Sequence, residues 1–328
     1  MNKAAVIQKI LAAESAAPLE LGAAYAPANI ALCKYWGKRD IELNLPVTGS
    51  LSVSLGDMGT HTQISISDRD SLILDGTPMP ADHKINARLF SFLDHFRTAA
   101  NLYFAVESNS TVPIGAGLAS SASGFAATVL ALKELFQWEL SNEKLSVLAR
   151  MGSGSASRSV YNGFVEWHAG VEDDGLDSVA ESLNIQWPEF RIAVLTVSDA
   201  PKKIGSTEAM NRTVGESVLY ESWPKKTAHD LPIIRQALYD KDISALGAQA
   251  ESNALSMHAT MLGCIPPVCY FEPETIDALQ KIWALRKDGV EVYATMDAGP
   301  NVKLIFESAA QEDILDVFPE LKIINPHK

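Results

Sequence analysis

Between Leu102 and Phe136 the chain changes from one backbone period to another across a run of glycine and serine. That passage narrows the folds open to it. Leu102–Ser108 alternates apolar and polar residues as a half-buried strand does. Phe125, Val129, Leu132 and Phe136 then recur at +4, +3 and +4, the spacing of one buried helix face. Between them lies Pro113-Ile-Gly-Ala-Gly-Leu-Ala-Ser-Ser-Ala-Ser-Gly124. Gly115 and Gly117 permit close backbone approach, and Ser120, Ser121 and Ser123 gather hydroxyls at the helix start. Unsatisfied N–H groups and the macrodipole at such a start favour an anion. The run lacks the Lys-Ser/Thr of a P-loop, and Ser120 stands where the dinucleotide fingerprint needs its third glycine. A glycine turn with a serine N-cap is the plainer alternative.

The rest of the first half mixes elements. Ile64–Ile66 and Ser71–Leu74 read as strands, with a turn at Asp75-Gly76. Ile85–Phe96 and Glu143–Met151 read as helices, and Phe164–His168 and Ile192–Val197 as strands. Val6, Ile7, Ile10 and Leu11 make a short amphipathic helix. The second half is richer in helix: Thr207–Tyr220, Asp230–Tyr239, Ile243–Met261 and Glu274–Arg286. Strand-like runs follow at Val290–Met296, Val302–Phe306 and Leu321–Ile324. Without strict βαβ alternation the pattern favours α+β over a doubly wound sheet. At 328 residues two domains, or one large one, are expected. The turn at Asp199-Ala200-Pro201 marks the expected boundary between two.

Charge and cysteine content exclude several classes. Lys+Arg 27 against Asp+Glu 40 leaves −13, which repels nucleic acid and anionic membranes. No run of about 18 apolar residues is present, and no signal-peptide pattern opens the chain, so a cytoplasmic protein is expected. Cys33, Cys264 and Cys269 form no disulfide framework, and the histidines show no metal or triad spacing. His258, within an apolar helix, reads as packed.

Three further segments carry functional groups. Gly152-Ser-Gly-Ser-Ala-Ser-Arg-Ser159 surrounds one guanidinium with small residues. Arg158 offers a donor fork suited to phosphate or carboxylate, and a flexible linker is the alternative. Lys34-Tyr-Trp-Gly-Lys-Arg-Asp40 concentrates cations in an acidic chain; a solvated turn with a partly buried Trp36 is its alternative. Asp297-Ala-Gly-Pro-Asn301 places a carboxylate at a strand end, where an ordinary Asx turn would also fit.

In order, these segments resemble the diphosphomevalonate decarboxylases, a branch of the GHMP kinase superfamily. The resemblance also rests on Ala26-Pro-Ala-Asn-Ile-Ala31, Leu51-Ser-Val-Ser-Leu55, Gly163-Phe-Val-Glu-Trp167, Ser198-Asp199, Ser206-Thr207 and Met257-His-Ala-Thr260. It implies an α+β GHMP-kinase-like fold: residues 1–22 as an N-terminal extension outside it, an N-terminal domain like ribosomal protein S5 over 23–199, a ferredoxin-like C-terminal domain over 200–328, a site between them, and a homodimer. It further implies ATP-dependent decarboxylation of 5-diphosphomevalonate, with ATP as co-substrate and Mg²⁺ as cofactor. Gly115, Gly117, Leu118, Ala119, Ser120 and Ser121 would form the ATP phosphate loop, Ser121 also meeting Mg²⁺. Tyr35, Lys38, Ser153, Gly154, Ser155, Arg158 and Ser206 would contact the anionic substrate. Lys34 would assist near the reacting phosphates, Asn29 near the 3-hydroxyl, and Asp297 would be the essential carboxylate. Two departures from the family pattern are Val47-Thr48-Gly49-Ser50 ahead of Leu51, and Thr207 where some bacterial members have Arg. A 5-phosphomevalonate decarboxylase and a kinase that stops after phosphorylation remain as rivals.

Overall fold

The computed structural model describes residues 1–99, 101–112, 120–200 and 202–326. Its first part runs α1 (Lys3–Leu11), β1 (Leu21–Cys33), β2 (Lys38–Asp40), β3 (Leu45–Pro46), β4 (Ser50–Ser67), β5 (Ser71–Leu74), β6 (Thr77–Pro78), α2 (Lys84–Leu93), β7 (Tyr103–Ser110), α3 (Ser120–Leu135), α4 (Asn142–Gly152), β8 (Phe164–Trp167) and β9 (Ala180–Ser182). The second part runs β10 (Phe190–Leu195), α5 (Ser206–Glu216), α6 (Trp223–Asp240), α7 (Ile243–Leu262), α8 (Pro273–Lys287), β11 (Val292–Met296), β12 (Val302–Glu307), α9 (Gln311–Val317) and β13 (Lys322–Ile324).

The larger sheet has seven strands in the path β6-β5-β7-β4-β8-β9, with β1 against β4. β4 organises it: its N-terminal half pairs with β8, its C-terminal half with β7, and β1 runs antiparallel along most of its length. The turn at Asp75-Gly76 takes positive φ at both residues, which joins β5 to β6 tightly. Phe125, Val129, Leu132 and Phe136 are all buried, as their spacing requires. α1 also belongs to this core through Val6, Ile7 and Ile10.

A four-stranded antiparallel sheet, β11-β12-β10-β13, anchors the second part. β10 pairs with β12 and β13, so the chain crosses between sheets within residues 183–189. The turn at Asp199 lies beyond that strand, on the way to α5. Asp199 thus falls inside the second unit. A shared apolar core joins the two sheets, with Ile30 and Leu32 of β1 and Val53 of β4 packed in the same cluster as Ile234, Leu238 and Leu246 of α6 and α7. Two hydrogen bonds of 2.6 Å from Arg235 to Glu166, itself buried, clasp α6 to β8. No helix among the described residues is long and apolar enough to cross a membrane.

β1 carries no strand signal in the sequence, because Ala, Gly and Pro are poor strand formers. Close helix packing explains its small residues. A Cβ on Gly22 would sit 2.1 Å from the Ala131 carbonyl oxygen of α3. Gly22→Ala is therefore expected to destabilise the fold by about 1–3 kcal/mol through overpacking. Gly215→Ala, in α5 with open space around it, should be neutral or stabilising by up to about 1 kcal/mol. Denaturant unfolding of both variants checks the contrast.

Candidate active site

A cleft of about 360 Å³ opens between the two units. Its N-terminal wall comes from the ends of β1 and β2 and from the segment after α4. Its C-terminal wall comes from the start of α5, the middle of α7 and the turn after β11. Every described residue expected to meet substrate lines it: Tyr35, Lys38, Ser153, Gly154, Ser155 and Ser206. Arg158, Lys34, Asn29, Ser121 and Asp297 line it too. Gly115, Gly117, Leu118 and Ala119 lie outside the described residues; Ser120 opens α3.

Lys34 and Asp297 define the centre. Lys34 follows the last residue of β1 and is 2% exposed. Its Nζ donates to Asp297 Oδ1 at 2.9 Å and to the Ala31 carbonyl oxygen. Asp297 follows the last residue of β11, and Lys303 Nζ from β12 lies 3.5 Å from its other oxygen. Burial by itself raises the Asp297 pKa, but Lys34, Lys303 and Lys202 outweigh it and hold the carboxyl well below the ordinary range. Burial lowers the Lys34 pKa, opposed by Asp297. The pair is a charge-assisted hydrogen bond formed across the domain boundary.

Arg158 is buried in a 3₁₀ turn spanning Gly154–Val160, so residues 152–159 are no flexible linker. Its guanidinium donates to Ser50 Oγ at 2.6 Å and to Asn29 Oδ1 at 3.2 Å. Burial lowers its pKa to about 10, with Asp297 opposing, so it stays charged at neutral pH. Asn29 in turn donates to Ser159 Oγ at 2.8 Å. Tyr35 stacks edge-on against Trp167, and its buried Oη has no protein partner. Gly154 must stay small, because a Cβ there would lie 2.8 Å from that hydroxyl. Lys38 Nζ is held by Asn44 Oδ1 at 2.7 Å.

The cation-rich segment 34–40 divides. Lys34 and Lys38 face the cleft, while Arg39, on the opposite face of β2, donates outside it to the Ala169 and Glu172 carbonyls. Gly37 makes the division possible with a φ of +113°. The solvated-turn reading fails for Lys34, which is buried.

A second cleft of about 370 Å³ shares Ser121 and Arg88 with the first. It has apolar walls from Leu72, Leu74, Leu89 and Phe125, with Ser108 and Ser110 among its polar groups. The start of α3 thus borders both. Arg88 lies over the Phe125 ring at 4.8 Å and donates to the Gly152 carbonyl.

Sequence reading missed Lys303, His258 and Arg88 as site residues. Lys303 carried a signal, since a lone lysine inside an apolar strand is seldom buried without a partner. His258 packs as expected, stacked on Phe271, yet its Nε2 also donates to the Asp297 carbonyl oxygen at 3.1 Å. Nothing in the pattern around Arg88 indicates its place.

The depressed Asp297 pKa has a consequence for stability. Its ionised form stabilises the fold above the ordinary value near 3.9, and that contribution is lost as pH falls through the folded value. The stability of the wild type relative to Asp297→Asn should therefore be larger at pH 6 than at pH 3 by denaturant unfolding. An equal difference would mean that the carboxyl titrates normally.

Comparison with known proteins agrees with this layout. A model described as the diphosphomevalonate decarboxylase-like N-terminal domain matches residues 26–180, and one described as the mevalonate 5-diphosphate decarboxylase C-terminal domain matches residues 192–326. The diphosphomevalonate decarboxylase of Saccharomyces cerevisiae is 36% identical over 306 residues, 86% of this chain and 76% of that protein. The mevalonate diphosphate decarboxylase of Staphylococcus aureus superposes with a TM-score of 0.87 at 36% identity, over 93% of this chain and 95% of that one. A structure of MDDEF in complex with MVAPP, AMPPCP and magnesium gives 0.86 at 37% identity, over 92% and 95%. The architecture is the two-domain GHMP-kinase-like α+β fold. By its two matched domains and its 36% identity over most of its length, the chain belongs to the diphosphomevalonate decarboxylase family.

Proposed function

We propose that the chain catalyses the ATP-dependent decarboxylation of (R)-5-diphosphomevalonate to isopentenyl diphosphate, with release of ADP, phosphate and CO₂. The observation that carries this reading is the meeting of Lys34 and Asp297 from opposite domains, in a cleft where the cations Lys34, Lys38, Arg88 and Arg158 face a single carboxylate. Such a cleft suits a polyanion that also presents one hydroxyl. The matched relatives are named for this activity, and the MDDEF complex holds MVAPP with an ATP analogue and magnesium.

The nucleoside occupies the more apolar second cleft, and its phosphates reach the first past Ser121. Among the described residues no group of three or more His, Cys, Asp or Glu side chains is placed to hold a metal. Mg²⁺ is commonly held largely by substrate phosphates, and here the Ser121 hydroxyl would stand beside it. When bound, Mg²⁺ neutralises phosphate charge. Arg158 takes the substrate carboxylate and an adjoining phosphate oxygen, while Lys38, Tyr35 and the donors of residues 153–155 hold the diphosphate with Ser206.

Asp297 orients the tertiary 3-hydroxyl. With its pKa held low it is a weak base. That is sufficient, because a loose phosphoryl-transfer transition state asks little of one. The hydroxyl proton becomes acidic only as the new O–P bond forms, and it then passes to Asp297 or water. Lys34 offsets charge on the transferred phosphoryl group. In the second step the C3–O bond breaks and phosphate leaves with its electron pair. The electrons of the bond to the carboxylate carbon form the alkene, and CO₂ departs. The substrate serves as its own electron sink.

Incubation with ATP, Mg²⁺ and each of mevalonate, its 5-phosphate and its 5-diphosphate tests the reading. CO₂ and isopentenyl diphosphate are expected from the 5-diphosphate, and ADP without CO₂ would instead identify a kinase. Asp297→Asn should lower kcat at least about tenfold, a loss of about 1.4 kcal/mol or more of transition-state stabilisation, with nucleotide binding retained. Smaller losses would assign the hydroxyl to another group. The number of phosphates is a separate bet. Each extra charge-assisted hydrogen bond contributes about 1.5–3 kcal/mol, so kcat/KM should favour the diphosphate over the monophosphate by tenfold or more. Thr207 adds no cation at that end, so the preference rests on Lys38, Arg158 and the serine donors. Equal values would overturn the diphosphate assignment and leave the decarboxylase one standing.

A further inference from the structure

Lys34 and Asp297 each stand one residue past a strand, where ladder pairing has stopped. Cys33 is the last paired residue of β1 and Met296 the last of β11. The Lys34 N–H and the Asp297 carbonyl are thus left to partners outside the sheets. One helix supplies both. Asn253 Oδ1 of α7 accepts from the Lys34 backbone nitrogen at 2.8 Å. Five residues on, roughly 7.5 Å along the helix axis, His258 Nε2 donates to the Asp297 carbonyl oxygen at 3.1 Å.

Neither side chain is free to reorient. Asn253 is fully buried, and its Nδ2 donates to Asp230 Oδ2 at 2.8 Å. A carboxylate only accepts, so it forces the amide oxygen toward Lys34. Asp230, also fully buried, is held by Lys226 and Gln249. The His258 ring is stacked on Phe271 at 4.9 Å and meets the edge of Tyr270. Burial lowers its pKa to about 4, so at neutral pH it has one N–H, and the carbonyl acceptor assigns that proton to Nε2.

We propose that α7 acts as a jig for the reacting centre: Asn253 and His258 are positioning residues that fix the backbones of Lys34 and Asp297 across the domain boundary, and thereby set the direction in which the carboxylate meets the substrate hydroxyl. This rests on the reading of Asp297 given above. It adds that the alignment is made through backbone contacts from a helix of the second domain. Displacement of a reacting group by about 1 Å can cost about a hundredfold in rate, so loss of one such tether should appear in kcat.

The test uses His258→Phe, which keeps an aromatic ring against Phe271 but cannot donate, and His258→Gln, which can donate. Asn253→Ala removes the other tether. Steady-state kcat and KM for both substrates are measured beside thermal unfolding. His258→Phe and Asn253→Ala are expected to lower kcat tenfold or more with KM values within about threefold. His258→Gln should recover at least a third of the wild-type kcat. Lower melting temperatures with kcat within twofold would show that α7 is only structural and overturn the proposal, as would equal losses in His258→Phe and His258→Gln. If His258→Phe does not fold, Asn253→Ala and His258→Gln decide the matter by the same split, Gln near wild type and Ala impaired in kcat. Asp297→Asn, run in parallel, separates the two levels. If that variant keeps more than about a tenth of wild-type kcat, the assignment of Asp297 fails and the jig fails with it. If Asp297→Asn is impaired but both tether variants are not, only the jig fails.

Discussion

An ion pair formed between two domains, its lysine buried and its carboxylate partly open to the cleft, sets the terms for the rest of this molecule. Taking the Lys34 ammonium out of water costs several kcal/mol, and its attraction to the partly exposed Asp297 offsets this only when geometry and further hydrogen bonds are good. Here the Lys34 ammonium also donates to Ala31, Lys303 stands near the second carboxylate oxygen, and the backbones on both sides are tethered to α7. The pair exists only while the domains are docked. Its geometry therefore depends on the core shared by β1, β4, α6 and α7 and on the Arg235–Glu166 clasp. Domain packing and site alignment are one problem in this chain.

The same pair explains how a chain of net charge −13 receives a polyanion. The long-range field is repulsive, but it is screened within about 10 Å in ordinary salt. Inside the cleft the local balance is reversed, because cations outnumber the one carboxylate. Desolvated guanidinium and ammonium groups act there at short range through charge-assisted hydrogen bonds. Selectivity for a compact, highly charged ligand is compatible with an acidic exterior, which disfavours nucleic acid and other extended polyanions.

Much of the secondary structure was legible where side chains declare a period. The helix through Phe125, Val129, Leu132 and Phe136 and the turn at Asp75-Gly76 follow from spacing and turn chemistry alone. β1 did not, since its alanines, Gly22 and Pro27 give no alternation; they are small because α3 crosses close above them. Likewise the Asp199 turn looked like a domain boundary, whereas β10 before it pairs with β12 and β13. Strand partnership is non-local and leaves no mark in a single segment.

The sequence by itself determined which chemical groups the site could use. The family resemblance carried by ordered motifs pointed to Asp297, Lys34, Arg158, Asn29 and the serines, and the net charge of the chain disfavours nucleic-acid and anionic-membrane partners. Only the tertiary structure decided which of the cations face the cleft, because Lys38 and Arg39 are neighbours whose side chains leave opposite faces of β2. Only it showed Lys303, His258 and Asn253 converging on the Lys34–Asp297 pair from β12 and α7. Motifs record residue types close together in sequence. Depressing one carboxyl's pKa and directing it toward one hydroxyl takes groups from distant segments, and packing alone brings those within a few ångströms of each other.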